Sequence, residues 1–260
     1  MTALPVERFD TLGLAELTAG AELLTRVDRK YVLPVDQAAA LLAGLDPRTR
    51  VLAIDGRRRF HYESNYFDTA DLLSYRQSAL RRRHRFKVRT RCYLDTGDAF
   101  LEVKTRDPRG TTVKDRIPHD PDRLDRLTEA GREFAGQTLA ARGHDHRIAA
   151  GLDPSLVTRY RRVTLLPPEP GVRVTVDTDL LWNYRRIALA VSDLVIIETK
   201  AGSRPCHVDR LLWRAGHRPA AISKYGTGLA ALRGDLPANK WTRVLNNHFR
   251  LAAKETPCAA

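Results

Sequence analysis

Cations occupy alternate positions in one segment of the chain, the run RRRHRFKVRTRCY at residues 81–93. One parity of this run is cationic, at Arg83, Arg85, Lys87, Arg89 and Arg91. Because side chains alternate between the two faces of a β-strand, a strand here would place five cations on one face. Aligned like charges repel, so this face needs an anionic neighbour: solvent ions, acidic side chains or a polyanion.

Other segments repeat the alternation of polar and apolar residues. Their polar positions are Arg26, Asp28 and Lys30; Glu102, Lys104 and Arg106; Lys114 and Arg116; Thr158, Tyr160, Arg162 and Thr164; Arg173, Thr175 and Asp177; and Glu198 and Lys200. Any one of these strands is typical of an ordinary sheet with a solvated face. Taken together, their polar faces hold many cations and few carboxylates, which favours binding of a multiply charged anion. Arginine matches phosphate oxygens with its forked donors, and a carboxylate supplies a hard oxygen ligand for a divalent metal.

Composition sets outer limits on the function. The 260 residues carry a formal net charge of +13, which favours an anionic partner without naming it. Three widely spaced cysteines argue against a disulfide framework and fit a reducing compartment. The first residues lack the pattern of a signal peptide, and no apolar run approaches the length of a membrane span. We therefore expect a cytoplasmic protein without a transmembrane segment.

Turn signals and hydrophobic patterning predict an α+β fold. The predicted strands cover residues 26–33, a pair that flanks the Asp55–Gly56 turn with 60–68 as its clearer half, 83–93, 100–106, 111–117, 156–166, 172–181, 186–191 and 194–200. The predicted helices cover residues 4–24 with a break near Gly13 and Gly20, 37–44 with Asp36 as the N-cap, 71–77, 121–142 with interruptions near Gly131 and Gly136, 207–215 and 241–254. The DTGD and DPRG turns at residues 95–98 and 107–110 join three of the strands into a meander. We expect about eight strands in an antiparallel, closed or nearly closed β-barrel that forms a basic tunnel, with flanking helices.

A family resemblance rests on nine stretches in order along the chain. They read RVDRKYVL, YESNYFDT, KVRTRCY, FLEVKTR, VKDRI, RYRRVTL, VRVTVDTDLLW, VIIETK and ISKYGTG, between Arg26 and Gly228. With them the chain resembles the catalytic domain of the vacuolar transporter chaperone (VTC) polyphosphate polymerases, in the triphosphate tunnel metalloenzyme superfamily. The resemblance implies one domain over residues 1–260, with its core at 22–232 and a C-terminal helix at about 239–254 before a frayed tail.

The resemblance also implies a site. The implied phosphate ligands are Lys30, Arg89, Arg91, Lys104, Lys114, Arg162, Arg173 and Lys224. Further candidate substrate-binding residues are Arg116, Lys200, Tyr160 and Ser223. Glu198 would hold Mn²⁺ or Mg²⁺, with Glu102 as a second candidate. The implied reaction transfers the terminal phosphate of ATP to inorganic polyphosphate. Two roles stay open for the other cations of this run, Arg83, Arg85 and Lys87: they either guide the anion at the tunnel mouth or are solvated.

Two departures from the superfamily pattern bear on the reaction. Hydrolytic members begin with a strand patterned Glu-x-Glu-x-Lys, whereas this chain has Arg26 and Asp28 before Lys30. Replacement of the first carboxylate by a cation favours the polymerase branch. Ala221 stands where the VTC pattern often has another lysine.

Two alternatives stay open: a tunnel-type inorganic or nucleoside triphosphatase, and a non-catalytic module that binds polyphosphate or RNA. Single-strand binders interleave aromatic residues with cations, whereas these strands interleave aliphatic ones, so no nucleic acid is expected. The sequence has no P-loop and no Ser–His or Cys–His grouping. The GHDH run at residues 143–146 matches no zinc spacing and predicts a loop.

Overall fold

The structure, a computed structural model, describes residues 4–19, 27–106 and 112–249. Its strands are β1 Asp10–Leu12, β2 Val27–Pro34, β3 Arg50–Leu52, β4 Phe60–Asp68, β5 Arg85–Tyr93, β6 Asp98–Arg106, β7 Thr112–Pro118, β8 Asp153–Leu166, β9 Arg173–Tyr184, β10 Ile187–Val191 and β11 Leu194–Ala201. Its α-helices are α1 Leu14–Ala19, α2 Val35–Ala43, α3 Leu73–Ala79, α4 Glu129–Ala140, α5 His207–Arg214, α6 Lys224–Leu232 and α7 Thr242–Val244. Short 3₁₀ turns cover Val6–Arg8, Pro121–Arg123 and His146–Gly151, and a π-helical turn covers Leu245–Phe249.

The strands pair into one sheet in the order β2-β11-β9-β8-β4-β5-β6-β7. Three strands lie off this path: β10 pairs with β9, and β3 pairs with both β8 and β1. The β1–β3 pair is parallel, whereas every other pair whose register is defined is antiparallel. The predicted fold class, α+β with a large antiparallel sheet and flanking helices, is confirmed. The predicted strand number, about eight, is that of the main path, on which β1, β3 and β10 do not lie. β1 was not predicted as a strand.

The predicted meander is β5–β6–β7. Its first turn bonds the amides of Thr96 and Gly97 to the carbonyl of Tyr93, and Gly97 takes a left-handed conformation with φ of 76°. The second turn, at residues 107–110, lies outside the described residues. Along β5 half-buried and buried residues alternate without a break, with the cations at the half-buried positions. The residues that the sequence assigns to the cationic face of this strand therefore do share one face of β5.

The described chain divides into two compact units, each with its own apolar core. The first unit takes residues within 1–60, 160–180 and 191–222, and the second takes residues within 61–159, 181–190 and 223–260. In the first unit α2 and α5 pack on a core that includes Tyr31, Val174 and Ile197. In the second unit α4 packs on a core that includes Phe86 and Leu101. β8 and β9 contribute residues to both units.

Several predicted helices are wrong in detail. The predicted helix 4–24 contains a 3₁₀ turn, β1 and α1, and residues 20–24 lie outside the described range. The helix 121–142 is reduced to a 3₁₀ turn and α4, which begins after the Thr128 cap. Asp36 is not an N-cap, because α2 begins at Val35 after Pro34 and no side chain caps it. The terminal helix is described only to Phe249. None of the helices in the described ranges combines the length and apolar character that crossing a bilayer requires.

The sequence prediction missed α6, which begins within the SKYGTG motif. Two glycines in its first turns lower intrinsic helix propensity, so the local pattern did not predict a helix. Packing explains why both positions are glycine. A Cβ at Gly226 would overlap the indole of Trp241, and a Cβ at Gly228 would overlap the indole of Trp182. These contacts let the helix backbone lie directly against two buried tryptophans.

We expect Gly228→Ala to destabilise the protein by about 1–3 kcal/mol, because the new methyl group must displace the buried Trp182 ring. Chemical denaturation followed by tryptophan fluorescence measures the change. Gly202→Ala is the matched control, since a Cβ at Gly202 meets no atom within 4 Å. Equal stability of the two variants would contradict the packing account.

Candidate functional site

A first charge cluster lies on one face of β2, β11 and β9 in the first unit. The strand registers place Glu198 between Lys30 of β2 and Thr175 of β9. In the next row Lys200 lies between Asp28 and Arg173. Directly opposite residues in an antiparallel pair have Cβ atoms about 5 Å apart, so the two rows form a continuous patch.

Glu198 is the anionic centre of this first cluster. Its carboxylate accepts a hydrogen bond from the ammonium of Lys200, which also lies 3.4 Å from Asp28. Burial alone would raise the pKa of Glu198, but Lys30, Lys200 and Arg162 outweigh burial and hold that pKa well below its usual range. Burial lowers the pKa of Lys200 despite both acidic neighbours. Glu198 is thus ionised and surrounded by cations.

Arg162 of β8 belongs to the same cluster. Its Nε and Nη2 atoms donate to the two carboxylate oxygens of Asp177 at 2.6 and 2.8 Å. The pair is nearly enclosed, with 13% of the Arg162 side chain and 1% of the Asp177 side chain exposed. The guanidinium also lies 5.3 Å from the ring centroid of Tyr160. This bidentate geometry fixes the plane in which Arg162 can meet another anion.

A second charge cluster lies on one face of β5, β6 and β7 in the second unit. Its first row pairs Arg85 with Arg106, and its second row aligns Lys87, Lys104 and Lys114. The third row aligns Arg89, Glu102 and Arg116. Arg91 continues the face one position further along β5. Like charges directly opposite each other destabilise a sheet, so three aligned lysines carry an electrostatic cost.

Glu102 offsets part of that cost. Only 1% of its side chain is exposed, and its carboxylate accepts from Arg89 Nε at 2.8 Å and from Lys114 Nζ at 3.3 Å. Burial would raise the pKa of Glu102, but Arg89, Arg91 and Lys114 together hold it well below its usual range. Burial also lowers the pKa of Lys114, although Glu102 opposes that shift.

The N-terminus of α6 joins this second cluster through Ser223. The Ser223 hydroxyl accepts from Lys87 Nζ at 2.9 Å and from the amide of Gly226 at 3.2 Å, while Thr227 accepts from the Ser223 amide. The carbonyl of Lys224 accepts from the indole of Trp182 at 2.8 Å. Ser223 and Lys224 are therefore held by contacts to β5, β9 and α6 itself.

A buried network around Asp68 fixes α6 further. Tyr225 donates its hydroxyl proton to Asp68 at 2.5 Å, so Ser155, 3.1 Å from the Tyr225 oxygen, must be the donor in that contact. Asp68 also accepts from the amides of Ser74 and Tyr75 at the start of α3. Burial raises the pKa of Asp68, against the effect of these hydrogen bonds.

The same network reaches the second cluster through aromatic rings. The ring of Tyr225 stacks on Tyr66 with centroids 4.9 Å apart, and the Tyr66 hydroxyl accepts from Arg89 at 3.3 Å. Asp68 and Tyr66, which belong to the YESNYFDT stretch, thus support the positions of Ser223 and Arg89.

In the first unit a comparable anchor lies on the opposite face of the strands. Asp209 of α5 is fully buried and accepts from Tyr31 at 2.7 Å, from Thr199 at 2.6 Å and from the amide of Cys206 at 2.9 Å. Tyr31 follows Lys30, and Thr199 lies between Glu198 and Lys200. The helix therefore holds β2 and β11 by the face that the charge cluster does not use.

The candidate site residues fall into these two groups. The first unit contains Lys30, Tyr160, Arg162, Arg173, Glu198 and Lys200, and the second contains Arg89, Arg91, Glu102, Lys104, Lys114, Arg116, Ser223 and Lys224. Three residues that contact the clusters were not among the candidate site residues. Asp177 bonds Arg162, Lys87 bonds Ser223, and Asp28 lies beside Lys200. Each of them lies on the same strand face as the candidate site residues, and this parity could have identified them from the sequence. Arg83 is exposed and precedes β5.

The donor set limits how a divalent metal can bind. No group of three or more His, Cys, Asp or Glu side chains suited to a metal occurs in residues 4–19, 27–106 and 112–249. Both oxygens of Glu102 contact cations, whereas at Glu198 one carboxylate oxygen, Oε1, accepts a hydrogen bond from Lys200. Mg²⁺ in phosphate-binding sites takes one or two carboxylates plus phosphate and water oxygens. The residues fit a metal only in that form, with Glu198 as the carboxylate.

Comparison with known proteins defines the family. The sequence profile of the VTC domain matches residues 25–233, and the chain belongs to the VTC domain family. The resemblance read from the sequence is thereby confirmed. No curated protein matches the chain.

Solved structures offer distant similarities. A candidate adenylyl cyclase from Hippeastrum, described as having a dominant triphosphatase activity, is 17% identical over 82% of this chain and 97% of its own, with a TM-score of 0.47. A candidate adenylate cyclase from Vibrio parahaemolyticus is 13% identical over 74% of this chain and 87% of its own, with a TM-score of 0.41. A conserved protein from Pyrococcus furiosus is 13% identical over 74% of this chain and 88% of its own, with a TM-score of 0.38. The family profile, not these similarities, carries the assignment.

We expect stability to fall with acidification through Glu102. Its folded pKa lies below the value of about 4.3 expected in the unfolded chain, so the unfolded state takes up the proton first. The stabilising contribution is complete above about pH 5 and is lost as pH falls toward the folded pKa.

Thermal unfolding between about pH 7 and pH 2 tests this expectation. Glu102→Gln should unfold at a lower temperature at pH 7, because Arg89 and Lys114 lose their carboxylate, and should lose less stability on acidification. A variant curve parallel to that of the wild type would contradict the assignment of the low pKa to Glu102.

Proposed function

We propose that this protein is a metal-dependent polyphosphate polymerase that transfers the terminal phosphate of ATP to a growing inorganic polyphosphate chain. The observation that carries the proposal is the pair of charge clusters, each built from several cations around one buried, ionised carboxylate. Glu198 has Lys30, Lys200 and Arg162 around it, and Glu102 has Arg89, Arg91 and Lys114. Membership of the VTC domain family supports the same reaction.

Burial of the cations favours a polyanion over solvent ions as their partner. Only 13% of each of the Arg89, Arg162 and Lys200 side chains is exposed. A cation in contact with a phosphate oxygen at about 4 Å gains about 4 kcal/mol, before desolvation, at an effective dielectric constant near 20. Such gains need an anion that meets several cations at once, which a triphosphate or polyphosphate does.

The sequence of β2 favours the polymerase over a hydrolase. Where hydrolytic members of the superfamily have two glutamates, β2 offers Asp28, and the Asp28 carboxylate lies 3.4 Å from Lys200. Few carboxylates remain to hold a metal that activates water. A polyphosphate acceptor supplies its own anionic oxygen as the nucleophile, so it needs no protein base.

In the proposed transfer, a terminal oxygen of the polyphosphate forms a bond to the γ-phosphorus of ATP. The bond from that phosphorus to its bridging oxygen breaks, and ADP leaves. The roles of the chain's own residues are to bind and align phosphates: arginines by paired donors, lysines as point charges. Phosphoryl transfer depends mainly on such positioning and on charge neutralisation.

Glu198 would hold the divalent metal, Mn²⁺ or Mg²⁺, together with phosphate and water oxygens. The metal would supply further neutralisation of negative charge on the phosphates. Because Lys200 bonds Glu198 in the present arrangement, we expect this ammonium to turn toward phosphate when the metal binds.

Incubation with ATP and Mn²⁺, followed by gel electrophoresis of the products, tests the reaction. We expect a ladder of long polyphosphate together with ADP. Free phosphate without longer products would identify a triphosphatase. Tight polyphosphate binding without turnover would identify a non-catalytic module. Omission of ATP and of Mn²⁺ in separate reactions provides the controls.

We expect Glu198→Gln to abolish metal-dependent turnover while it preserves or strengthens binding of tripolyphosphate in the absence of metal. The substitution removes the carboxylate that would hold the metal and takes a negative charge away from the cations. Turnover and calorimetric titration with tripolyphosphate in EDTA measure the two effects.

Glu63→Gln is the matched control, because Glu63 bonds Arg159 at 2.7 Å and is paired in register with Cys92, on the apolar parity of β5. Full turnover in Glu198→Gln would remove Glu198 from the site.

A further inference from the structure

The hydroxyl of Thr175 is a buried polar group in the middle of β9. Thr175 is 3% exposed, and its Oγ1 has no hydrogen-bond partner among the described residues. A buried hydroxyl left unpaired loses its hydrogen bonds to water without replacement, so such a group in the middle of a strand requires an explanation.

The position of Thr175 places this hydroxyl inside the first charge cluster. Thr175 is paired in register with Glu198 across β9 and β11. Along β9 it lies between Arg173 and Asp177, which share its parity, whereas Val174 and Val176 occupy the opposite face and are buried in the core. The threonine side chain therefore points to the same side as the cations of the cluster.

Burial and strand propensity alone do not account for a threonine here. Valine has the same shape and β-propensity and would leave no unpaired hydroxyl. Neither of its charged neighbours satisfies the hydroxyl: Asp177 bonds Arg162, and Glu198 bonds Lys200. The hydroxyl can donate to an anion without adding a further positive charge to a cluster that is already crowded with cations.

We propose that Thr175 is a further phosphate-binding residue, whose hydroxyl donates to a non-bridging phosphate oxygen held by the first charge cluster. The assignment rests on the proposed function, since it requires that this cluster binds a polyphosphate or triphosphate. Thr175 supplies a neutral, directional hydrogen bond, whereas Lys30 and Lys200 supply charge. It therefore fixes where one phosphate lies along β9.

Calorimetric titration with tripolyphosphate in EDTA, combined with thermal unfolding, tests the proposal on the full chain. We expect Thr175→Val to weaken binding about tenfold or more, because a hydrogen bond to a charged acceptor is lost. We expect its unfolding temperature to stay the same or rise, because the unpaired hydroxyl is gone. Thr175→Ser keeps the hydroxyl and should bind within about threefold of the wild type.

Thr49→Val is the matched control. The hydroxyl of Thr49 is also buried and unpaired among the described residues of the first unit, but Thr49 precedes β3 and lies outside the cluster. This variant should bind tripolyphosphate like the wild type.

Each outcome has one meaning. Wild-type affinity in Thr175→Val, with binding intact in the unmodified protein, would overturn the role of Thr175 and leave the proposed function standing. Weaker binding with an equal loss of thermal stability in both Thr175→Val and Thr175→Ser would overturn it in favour of a packing role. Absence of binding in the wild type would overturn the proposed function and this assignment together.

Discussion

The structure depends on how a sheet accommodates many cations on one face. Six cations surround two buried carboxylates, three at Glu198 and three at Glu102, and each carboxylate has a pKa far below its usual range. The two negative charges of the carboxylates offset only part of the positive charge of the six cations. The row formed by Lys87, Lys104 and Lys114 keeps like charges directly opposite one another. The polyphosphate or triphosphate of the proposed function would offset this cost.

The opposite faces of the strands hold the clusters in register. A one-residue slip would carry every cation to the apolar side, so register has to be strongly specified. In the first unit the buried Asp209 ties α5 to Tyr31 and Thr199, and valines and isoleucines fill the remaining positions. In the second unit Asp68 ties α3 to Tyr225, which stacks on Tyr66. Buried aspartates that accept several hydrogen bonds thus hold the strands that carry the charge clusters.

The features of the fold that depend on neighbouring residues in the sequence were predictable from it. The alternation in β5 predicted its polar face residue by residue, and the turn at residues 95–98 predicted the meander, because both depend on a period of two and on short-range turn chemistry. The candidate site residues on strands came from the family resemblance, and the same parity agrees with them. α6 was missed, since its two glycines argue against a helix until the tryptophans that pack on them are known. The helix at residues 4–24 was wrong because apolar spacing over short segments does not distinguish a helix from a strand and a turn.

The sequence by itself determined which side chains share a strand face and which family the chain belongs to, because parity and motif order are properties of the chain alone. Only the tertiary structure decided which charges meet. Glu198 is paired with Lys30 through a register between strands far apart in the chain, which no local pattern encodes. Ser223 meets Lys87 across 136 residues, and the Thr175 hydroxyl, beside Glu198, has no hydrogen-bond partner in the described part of the chain. Electrostatic and hydrogen-bonding energies depend on distance and burial, and both are fixed only when strands far apart in the chain pair with each other.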